Sequence, residues 1–370
     1  MQLSARALLV FALLAAGRTS AAQAPAPSFS TLSTEAQAAR DANQFEKAVD
    51  LYKKALKLKP NWEDGLWNLG SIAYDLNRYK DCIGAFGMLS ELKPDGTPGW
   101  TMAGLCEYEL HNYGSALDDF THAEQLGFNE NAELARAGRL HYALVLTKTG
   151  NFERAITVLT DLTRKDKKTP DIIAAAGIAG LRRPWLPSEV PESERELVYR
   201  VGDAMASGME QDYKEANRKF DEVLKAYPSE PNVHFRYGAM LYIQDADRGI
   251  EEIRKAIALA PDHVPALVSL SAISLKREDA KAAVEYGELA VKASPGDFAT
   301  HIVLGRALLA SEDLARAAAE LGQAVKLAPN VPDAHFSLAT AYSRLGRKED
   351  AARETAEFKR LEHLGAKQVP

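Results

Sequence analysis

Apolar residues recur at intervals of three and four along most of the chain, which is the period of a helix that buries one face. These amphipathic stretches come in pairs, and a short polar turn such as Asn77-Arg78 or Gly150-Asn151 joins the two members of a pair. Within each half of the chain, prolines close the pairs at distances of 33 or 34 residues: Pro60 and Pro94, then Pro228, Pro261, Pro295 and Pro329. The pattern predicts an all-α chain made of a helical hairpin that repeats about every 34 residues.

Small residues mark the places where the two helices of a predicted hairpin approach each other. Glycines stand at equivalent positions on the first helices, and small residues stand opposite them on the second helices. The predicted pairs are Gly70 with Cys82, Gly104 with Ala116, Gly238 with Gly249 and Gly305 with Ala317. Because one hairpin cannot bury its apolar stripe alone, we expect each hairpin to be stabilised by stacking on its neighbours.

The repeated unit resembles the tetratricopeptide repeat, whose pattern is a bulky residue followed by Leu-Gly, Tyr, Ala, Phe and Pro. In one repeat Leu69-Gly70, Phe86 and Pro94 match this pattern. Further matches are Trp100, Gly104, Ala116 and Phe120; Ala216, Phe220 and Pro228; and Leu304, Gly305, Ala317 and Pro329. The resemblance extends over nearly all of the chain. It implies a right-handed superhelical solenoid of stacked hairpins, with the first helices lining its concave side.

The repeats are interrupted once, and the predicted organisation follows from that break. Prolines 184, 187 and 191 forbid a continuous helix there, so the segment is either a linker or an insertion docked on the solenoid. Trp185, Leu186 and Val190 favour docking, because linkers are poorer in large apolar residues. The predicted segments are a signal peptide at 1–24, a flexible tether at 25–28, an N-terminal array at 29–169, an irregular partial repeat with the proline-rich insertion at 170–196, a C-terminal array with a charged capping helix at 197–365, and a tail at 366–370.

The first residues have the layout of a secretory signal peptide. Residues 1–6 are short and basic, residues 7–16 are an unbroken apolar run, and small residues follow as far as Ala24. Ten apolar residues reach only about 15 Å as a helix and cannot span a membrane core of about 30 Å. We predict cleavage after Ala24, with Ala22 as the alternative, and export to the periplasm or the outside of a bacterial cell.

Charge and cysteine content restrict the partners. The net charge of −6 argues against nucleic acid, because proteins that bind it usually carry a basic excess. Two cysteines are too few for a disulfide-built scaffold. Cys82 and Cys106 lie equally far from Pro94, at the same height of two antiparallel helices, so one reading is a disulfide formed in an oxidising compartment. The other is that Cys82 merely occupies the small-residue position opposite Gly70.

No catalytic or cofactor motif stands out in the sequence. It contains no Gly-rich phosphate loop with its lysine, no HExxH and no Gly-x-Ser-x-Gly. His234, His301 and His335 stand at nearly equivalent places, but successive repeats are about 8–10 Å apart, too far to share a metal ion. We interpret them as bulky residues in a position where the family often has Trp or Tyr. The sequence therefore predicts no enzyme activity, no cofactor and no metal.

Inward residues of the first helices are the candidate binding surface. In the superhelix that the resemblance implies, they form a groove for an extended peptide or protein segment. Arginines capture carboxylates, and aromatic residues contribute burial at low entropic cost. The candidates are Trp67, Asn68, Tyr74, Tyr108, Arg236, Tyr242, Lys276, Arg306 and Arg344. The alternative is that these residues are solvated in a spacer; solenoid concavities commonly bind, which favours the groove.

These observations together predict a non-enzymatic protein–protein interaction scaffold in the cell envelope. Its partners would be proteins or peptides, and the mature chain would have no integral membrane segment. The alternative is a recognition or regulatory subunit of an envelope enzyme complex, such as one for glycan synthesis or export, whose catalytic chain is separate.

Overall fold

Helices joined by short turns make up nearly all of the structure, a computed structural model that describes residues 27–128 and 131–367. Every regular element in these residues is a helix. The α-helices are α1 (Phe29–Asp41), α2 (Phe45–Leu58), α3 (Glu63–Asp75), α4 (Tyr79–Leu92), α5 (Thr97–Glu109), α6 (Tyr113–Gln125), α7 (Ala132–Lys148), α8 (Phe152–Asp166), α9 (Pro170–Gly180), α10 (Arg195–Met209), α11 (Tyr213–Ala226), α12 (Pro231–Gln244), α13 (Ala246–Leu259), α14 (Val264–Lys276), α15 (Ala280–Ala293), α16 (Phe298–Ala310), α17 (Leu314–Leu327), α18 (Pro332–Arg344) and α19 (Lys348–Lys367). The predicted signal peptide and its cleavage sites lie outside the described residues. None of the helices just given is long and apolar enough to cross a membrane.

The described chain divides into two compact units, residues 27–65 and 66–367. In the first unit α1 packs on α2, and small residues such as Ala36 and Ala48 are fully buried between them. Trp62 completes this core. Its ring lies 5.2 Å from that of Phe29, edge to face, and 5.6 Å from that of Tyr52.

In the second unit each helix pair stacks on the next. Helix α5 contacts both α6 and α7, and α16 contacts both α17 and α18. A large share of the buried apolar residues, from Leu105 to Leu241, forms one continuous core. The predicted fold class, an all-α solenoid of stacked hairpins, is confirmed.

Glycines on the first helices allow the second helices to approach, although their closest neighbours are larger than we expected. A Cβ atom on Gly70 would lie 2.5 Å from the ring of Phe86, and one on Gly104 would lie 2.8 Å from the ring of Phe120. Both phenylalanines lie one helical turn beyond the small residues predicted as partners. At Gly238 the expected neighbour is present, since a Cβ there would lie 2.8 Å from the carbonyl oxygen of Gly249.

A residue in the left-handed region of backbone space ends the first helix at most turns. The φ angle is 57° at Asn77, 60° at His111 and 85° at Gly150. At the first of these turns the amide of Arg78 donates to the carbonyl of Ala73 over 2.7 Å, which fixes the reversal of the chain. Each turn thereby brings the first residue of the second helix close to the last turn of the first helix.

The interrupted repeat is bridged by direct contact between α9 and α10. A Cβ atom on Gly177 would lie 1.9 Å from the carbonyl oxygen of Val198, and one on Gly202 would lie 1.9 Å from that of Ile173. The two helices therefore touch backbone to backbone, which only glycine permits. Helix α9 thus packs on α10 where a second helix of its own would otherwise stand.

The proline-rich insertion between these helices is docked. Leu186 and Val190 are buried, and Trp185 packs on the same core. Lys148 at the end of α7 donates to both carboxylate oxygens of Glu189, each over 2.7 Å. Of the two alternatives for this segment, the structure has the insertion held against the repeats.

Candidate functional site

Tyrosines on two successive hairpins are the most prominent of the candidate groove residues. The ring of Tyr74 lies 5.8 Å from that of Tyr79, the first residue of α4. One repeat further on, Tyr108 lies 6.1 Å from Tyr113, the first residue of α6. All four side chains are partly exposed. A tyrosine at the end of the first helix is thus paired with a tyrosine across the turn in both repeats.

The carboxylate of Glu109 lies among these tyrosines. Burial raises the pKa of Tyr108 to about 12, and Tyr113 and Glu109 add to that effect. Burial also raises the pKa of Tyr74 and Tyr79, and in each case Glu109 is the next contributor. We define the tyrosine–carboxylate surface as these four tyrosines with the two carboxylates that follow the first-helix tyrosines: Tyr74, Asp75, Tyr79, Tyr108, Glu109 and Tyr113.

Two further candidates lie on α3, the helix that carries Tyr74. Trp67 is 36% exposed, and its ring contacts that of Phe86 edge to face, with 5.4 Å between centres. Asn68, the next residue of α3, is half-buried. The Trp67 ring therefore contributes to the packing of its own hairpin, and part of it remains exposed.

Arg236 is not available to a ligand in this structure. Its side chain is 8% exposed, and its two Nη atoms donate to the two carboxylate oxygens of Glu153, each over 2.7 Å. Arg182 donates to the same carboxylate over 2.7 Å. Burial opposes the ionisation of Glu153, but the Arg236 and Arg182 guanidiniums outweigh it and hold the pKa of that carboxyl below its usual value. Arg236 thus joins α12 to α8.

Arg306 and Arg344 also have partners within the chain. Arg306 donates to the hydroxyl of Ser337 over 2.9 Å and lies 3.2 Å from a carboxylate oxygen of Asp333. Arg344 donates to the carbonyl of Leu309 over 2.7 Å and pairs with Glu312. Each of these arginines connects one repeat with the next. The carboxylate capture expected of them is therefore already taken up by their own chain.

The remaining pair of candidates forms a cation–π contact. The Nζ atom of Lys276 lies 5.8 Å from the centre of the Tyr242 ring. Lys276 is exposed and Tyr242 is half-buried. Unlike Arg236, which is buried, these two side chains remain accessible on the surface of the C-terminal repeats.

The three equivalent histidines are held within their own hairpins. In each, Nδ1 lies 2.6–2.7 Å from a glutamate on the second helix, and Nε2 lies 2.9–3.0 Å from a proline carbonyl. The sets are His234 with Glu252 and Pro228, His301 with Glu320 and Pro295, and His335 with Glu354 and Pro329. Trp100 occupies the same position in an earlier repeat and donates to the carbonyl of Pro94 over 3.0 Å. The interpretation of these histidines as bulky residues in a tryptophan position fits this geometry.

The two cysteines lie close together on neighbouring hairpins. Cys82 on α4 and Cys106 on α5 are fully buried, and their Cα atoms are 6.2 Å apart. A disulfide requires a separation of this size, and the structure joins the two sulfur atoms. The bond itself remains a prediction until the thiols are counted. In the part of the chain that the structure describes, no group of three or more His, Cys, Asp or Glu is placed to hold a metal ion.

The sequence did not single out two members of the tyrosine–carboxylate surface, Tyr79 and Tyr113. Both begin second helices, whereas the resemblance implies a groove lined by first helices. A signal was present, because each stands five positions after a first-helix tyrosine in two successive repeats. Glu153 was also missed, since its partner Arg236 is 83 residues away.

Family models match two separate parts of the chain. A model described as the middle TPR-like domain of cilia and flagella-associated protein 70 matches residues 203–362. A model described as TPR repeat matches residues 36–77. No curated protein matches the chain.

Several solved structures are similar to parts or most of the chain. MamA 41-end from Desulfovibrio magneticus RS-1 is 23% identical over 47% of this chain and 97% of its own, with a TM-score of 0.41. The MamA RS-1 ArsTM double mutant is 26% identical over 40% of this chain and 85% of its own, with a TM-score of 0.38. Yeast Tom70 is 15% identical over 90% of this chain and 92% of its own, with a TM-score of 0.32.

The helical hairpins of the structure and the two family models agree. The segment 36–77 runs from within α1 to the end of α3, and the segment 203–362 runs from within α10 into α19. Both segments consist of helices joined by short turns. In these two segments the chain therefore contains repeats like those of the tetratricopeptide-repeat models.

Proposed function

We propose that this chain is a non-enzymatic scaffold that binds a peptide or protein segment, and that it acts in the cell envelope after export. The observation that carries the proposal is that three aromatic residues of first helices, Tyr74, Tyr108 and Tyr242, are partly exposed. Most other large apolar residues of these repeats are buried. Aromatic residues at an accessible surface are the usual anchors of protein interfaces. The arginines are structural in this proposal, and the tyrosines and Lys276 are the contact residues.

Site-specific photo-crosslinking tests the binding surface. A photoreactive amino acid is placed at Tyr74 or Tyr242, and for comparison at Leu259, which is 42% exposed on the second helix α13. We expect crosslinked protein partners from the first two positions and few from Leu259. Equal crosslinking at all three positions, or none in the native envelope, would contradict the proposal. Stoichiometric recovery of a separate catalytic chain would instead favour a recognition subunit of an enzyme complex.

Export is tested by the mass of the mature protein. We expect the chain isolated from its native cells to begin at Pro25, or at Gln23 if cleavage follows Ala22. Intact-mass measurement of the protein from the envelope and cytoplasmic fractions distinguishes the two sites. An unprocessed chain confined to the cytoplasm would contradict the envelope part of the proposal and leave protein binding to be judged by the crosslinks.

A further inference from the structure

The tyrosine–carboxylate surface has an excess of negative charge. Among the described residues, no lysine, arginine or histidine forms an ion pair with Asp75 or Glu109. Glu109 is half-buried between two tyrosine pairs. A half-buried carboxylate without a cation is less stable than one that is paired, so this position favours a positively charged group from outside.

The edge of the same surface shows how a cation is held there. The Nζ atom of Lys148 lies 5.8 Å from the centre of the Tyr113 ring, and the carboxylate of Glu189 holds it there. A cation over a tyrosine ring is attracted by the negative face of the ring. In its own chain the protein therefore already combines a lysine, a tyrosine ring and a carboxylate. The rings of Tyr74, Tyr79 and Tyr108, together with the carboxylate of Glu109, offer a ring and an opposite charge of the same kind. Among the described residues, no lysine or arginine forms an ion pair with that carboxylate.

The arginines of the C-terminal repeats point to the same sign of ligand charge. Arg236, Arg306 and Arg344 are already bound to carboxylates of this chain. At Arg236 an anionic ligand would have to break a contact of a buried guanidinium, and at Arg306 and Arg344 it would compete with carboxylates of the chain itself. A cationic ligand meets Asp75 and Glu109, which form no ion pair with a lysine, arginine or histidine in the part of the chain that the structure describes.

We propose that the tyrosine–carboxylate surface binds a lysine or arginine side chain of an extended segment of a partner protein, seated between the tyrosine pairs against Glu109. This rests on the proposed function of the chain as a protein-binding scaffold and specifies the chemistry of the bound segment. The tyrosine rings supply cation–π attraction and apolar contact for the side-chain stem, and Glu109 supplies the opposite charge. The surface then discriminates against acidic segments by repulsion.

Fluorescence anisotropy with short labelled peptides tests the proposal. The probes are equal-length peptides in which serine alternates with arginine, lysine or glutamate, and the protein is the processed full-length chain. We expect the arginine and lysine peptides to bind, and their affinity to fall as salt is raised. The glutamate peptide is expected not to bind. Tighter binding of the glutamate peptide, or affinities independent of salt, would overturn the proposal.

Variants locate the binding on the surface. Glu109→Gln keeps the shape of the side chain and removes its charge, so we expect the affinity for the arginine peptide to fall roughly tenfold. Tyr108→Leu removes a ring and is expected to weaken binding as well. The matched control is Asp95→Asn, which removes the same charge from an exposed loop at the opposite end of α4 and should leave the affinity unchanged. Circular dichroism confirms that each variant is folded.

The outcomes separate this proposal from the proposed function. If the peptides do not bind but Tyr74 and Tyr242 still crosslink to protein partners, the scaffold function stands and the cationic segment is wrong. If neither the peptides nor any protein is bound, both are wrong. If spermidine displaces the labelled peptide with the affinity of a peptide of equal charge, the surface binds cations in general, and the docking of a protein segment is wrong.

Discussion

At the scale of single residues, a histidine bound at both ring nitrogens has a defined charge. The Nε2 atom of His234 lies where the indole N–H of Trp100 lies in its own repeat, facing a proline carbonyl. A carbonyl only accepts, so Nε2 must carry a proton. The Nδ1 atom faces the carboxylate of Glu252, which makes the doubly protonated imidazolium the best-bonded form.

We therefore expect His234 to titrate above the ordinary histidine value of about 6.5. The hydrogen bond to Glu252 raises the pKa of His234 more than burial lowers it. Because the folded-state pKa is the higher one, this residue's contribution to stability is complete below about pH 6.5 and is lost as the pH rises through the folded-state pKa. NMR titration of the ring measures the pKa directly. In Glu252→Gln the pKa should fall, and an unchanged value would show that the carboxylate is not its cause.

Arg236 is the residue whose substitution we expect to be the most costly among the candidate groove residues. Arg236→Met keeps a long apolar stem but leaves Glu153, whose side chain is 60% exposed, with only Arg182, and we expect a loss of about 1 kcal/mol in the free energy of unfolding. The control is Arg218→Met, which removes an exposed arginine that also pairs with two glutamates. Exposed pairs contribute little, so urea unfolding should show little change there. Equal effects would mean that burial of Arg236 is not the source of its stabilisation.

At the scale of elements, the hairpin was predictable because its signals are local. The helical period, the polar turns and the closing prolines all lie within about 34 residues of one another, and they fixed the succession of helices on both sides of the break. The closest contacts within a hairpin were less predictable. A glycine at position 70 indicates that the second helix approaches closely there. Which of its residues makes the contact, here Phe86, depends on how far the two helices are shifted along each other.

A disulfide between α4 and α5 is the prediction at this scale. Cys82 and Cys106 are 24 residues apart in sequence, and closing a loop of that size stabilises the folded state by about 3 kcal/mol. We expect no free thiols in the exported protein when it is unfolded without reductant. Once reductant is added, we expect the midpoint of unfolding to fall to a lower urea concentration. The double variant Cys82→Ala/Cys106→Ala should unfold at the same midpoint with and without reductant. Two free thiols in the exported protein would show that the cysteines are only packed.

At the scale of the whole molecule, sequence periodicity could not predict contacts between elements that are distant in sequence. It also could not predict that α9 packs on α10, since α9 has no second helix of its own. Glu153 and Arg236 lie on opposite sides of the proline-rich insertion, and nothing in either local pattern indicates the other. The aromatic groove candidates were found from first-helix spacing alone, while the internal partners of the arginines became visible only with neighbouring repeats in place. That difference reverses the expected charge of the ligand, from a carboxylate captured by arginines to a cation held by Glu109.

The junction between α9 and α10 decides whether the repeats before and after the insertion unfold together. Each repeat of a solenoid is stabilised mainly by its neighbours, so a weakened junction should uncouple the two sides. Gly177→Val places side-chain atoms where the Val198 carbonyl oxygen lies, and this backbone atom cannot move aside without separating the helices. We expect a loss of about 3 kcal/mol.

Urea unfolding followed by circular dichroism should then change from one transition to two. The matched control is Gly84→Ala on α4, where an added Cβ meets open space and should stabilise the helix by about 1 kcal/mol. Because Arg236 and Glu153 join α12 to α8 across the same junction, adding Arg236→Met to Gly177→Val should separate the two transitions further. If Gly177→Val and the double variant each unfold in a single transition at the midpoint of the unmodified protein, the glycine contact does not couple the repeats before and after the insertion.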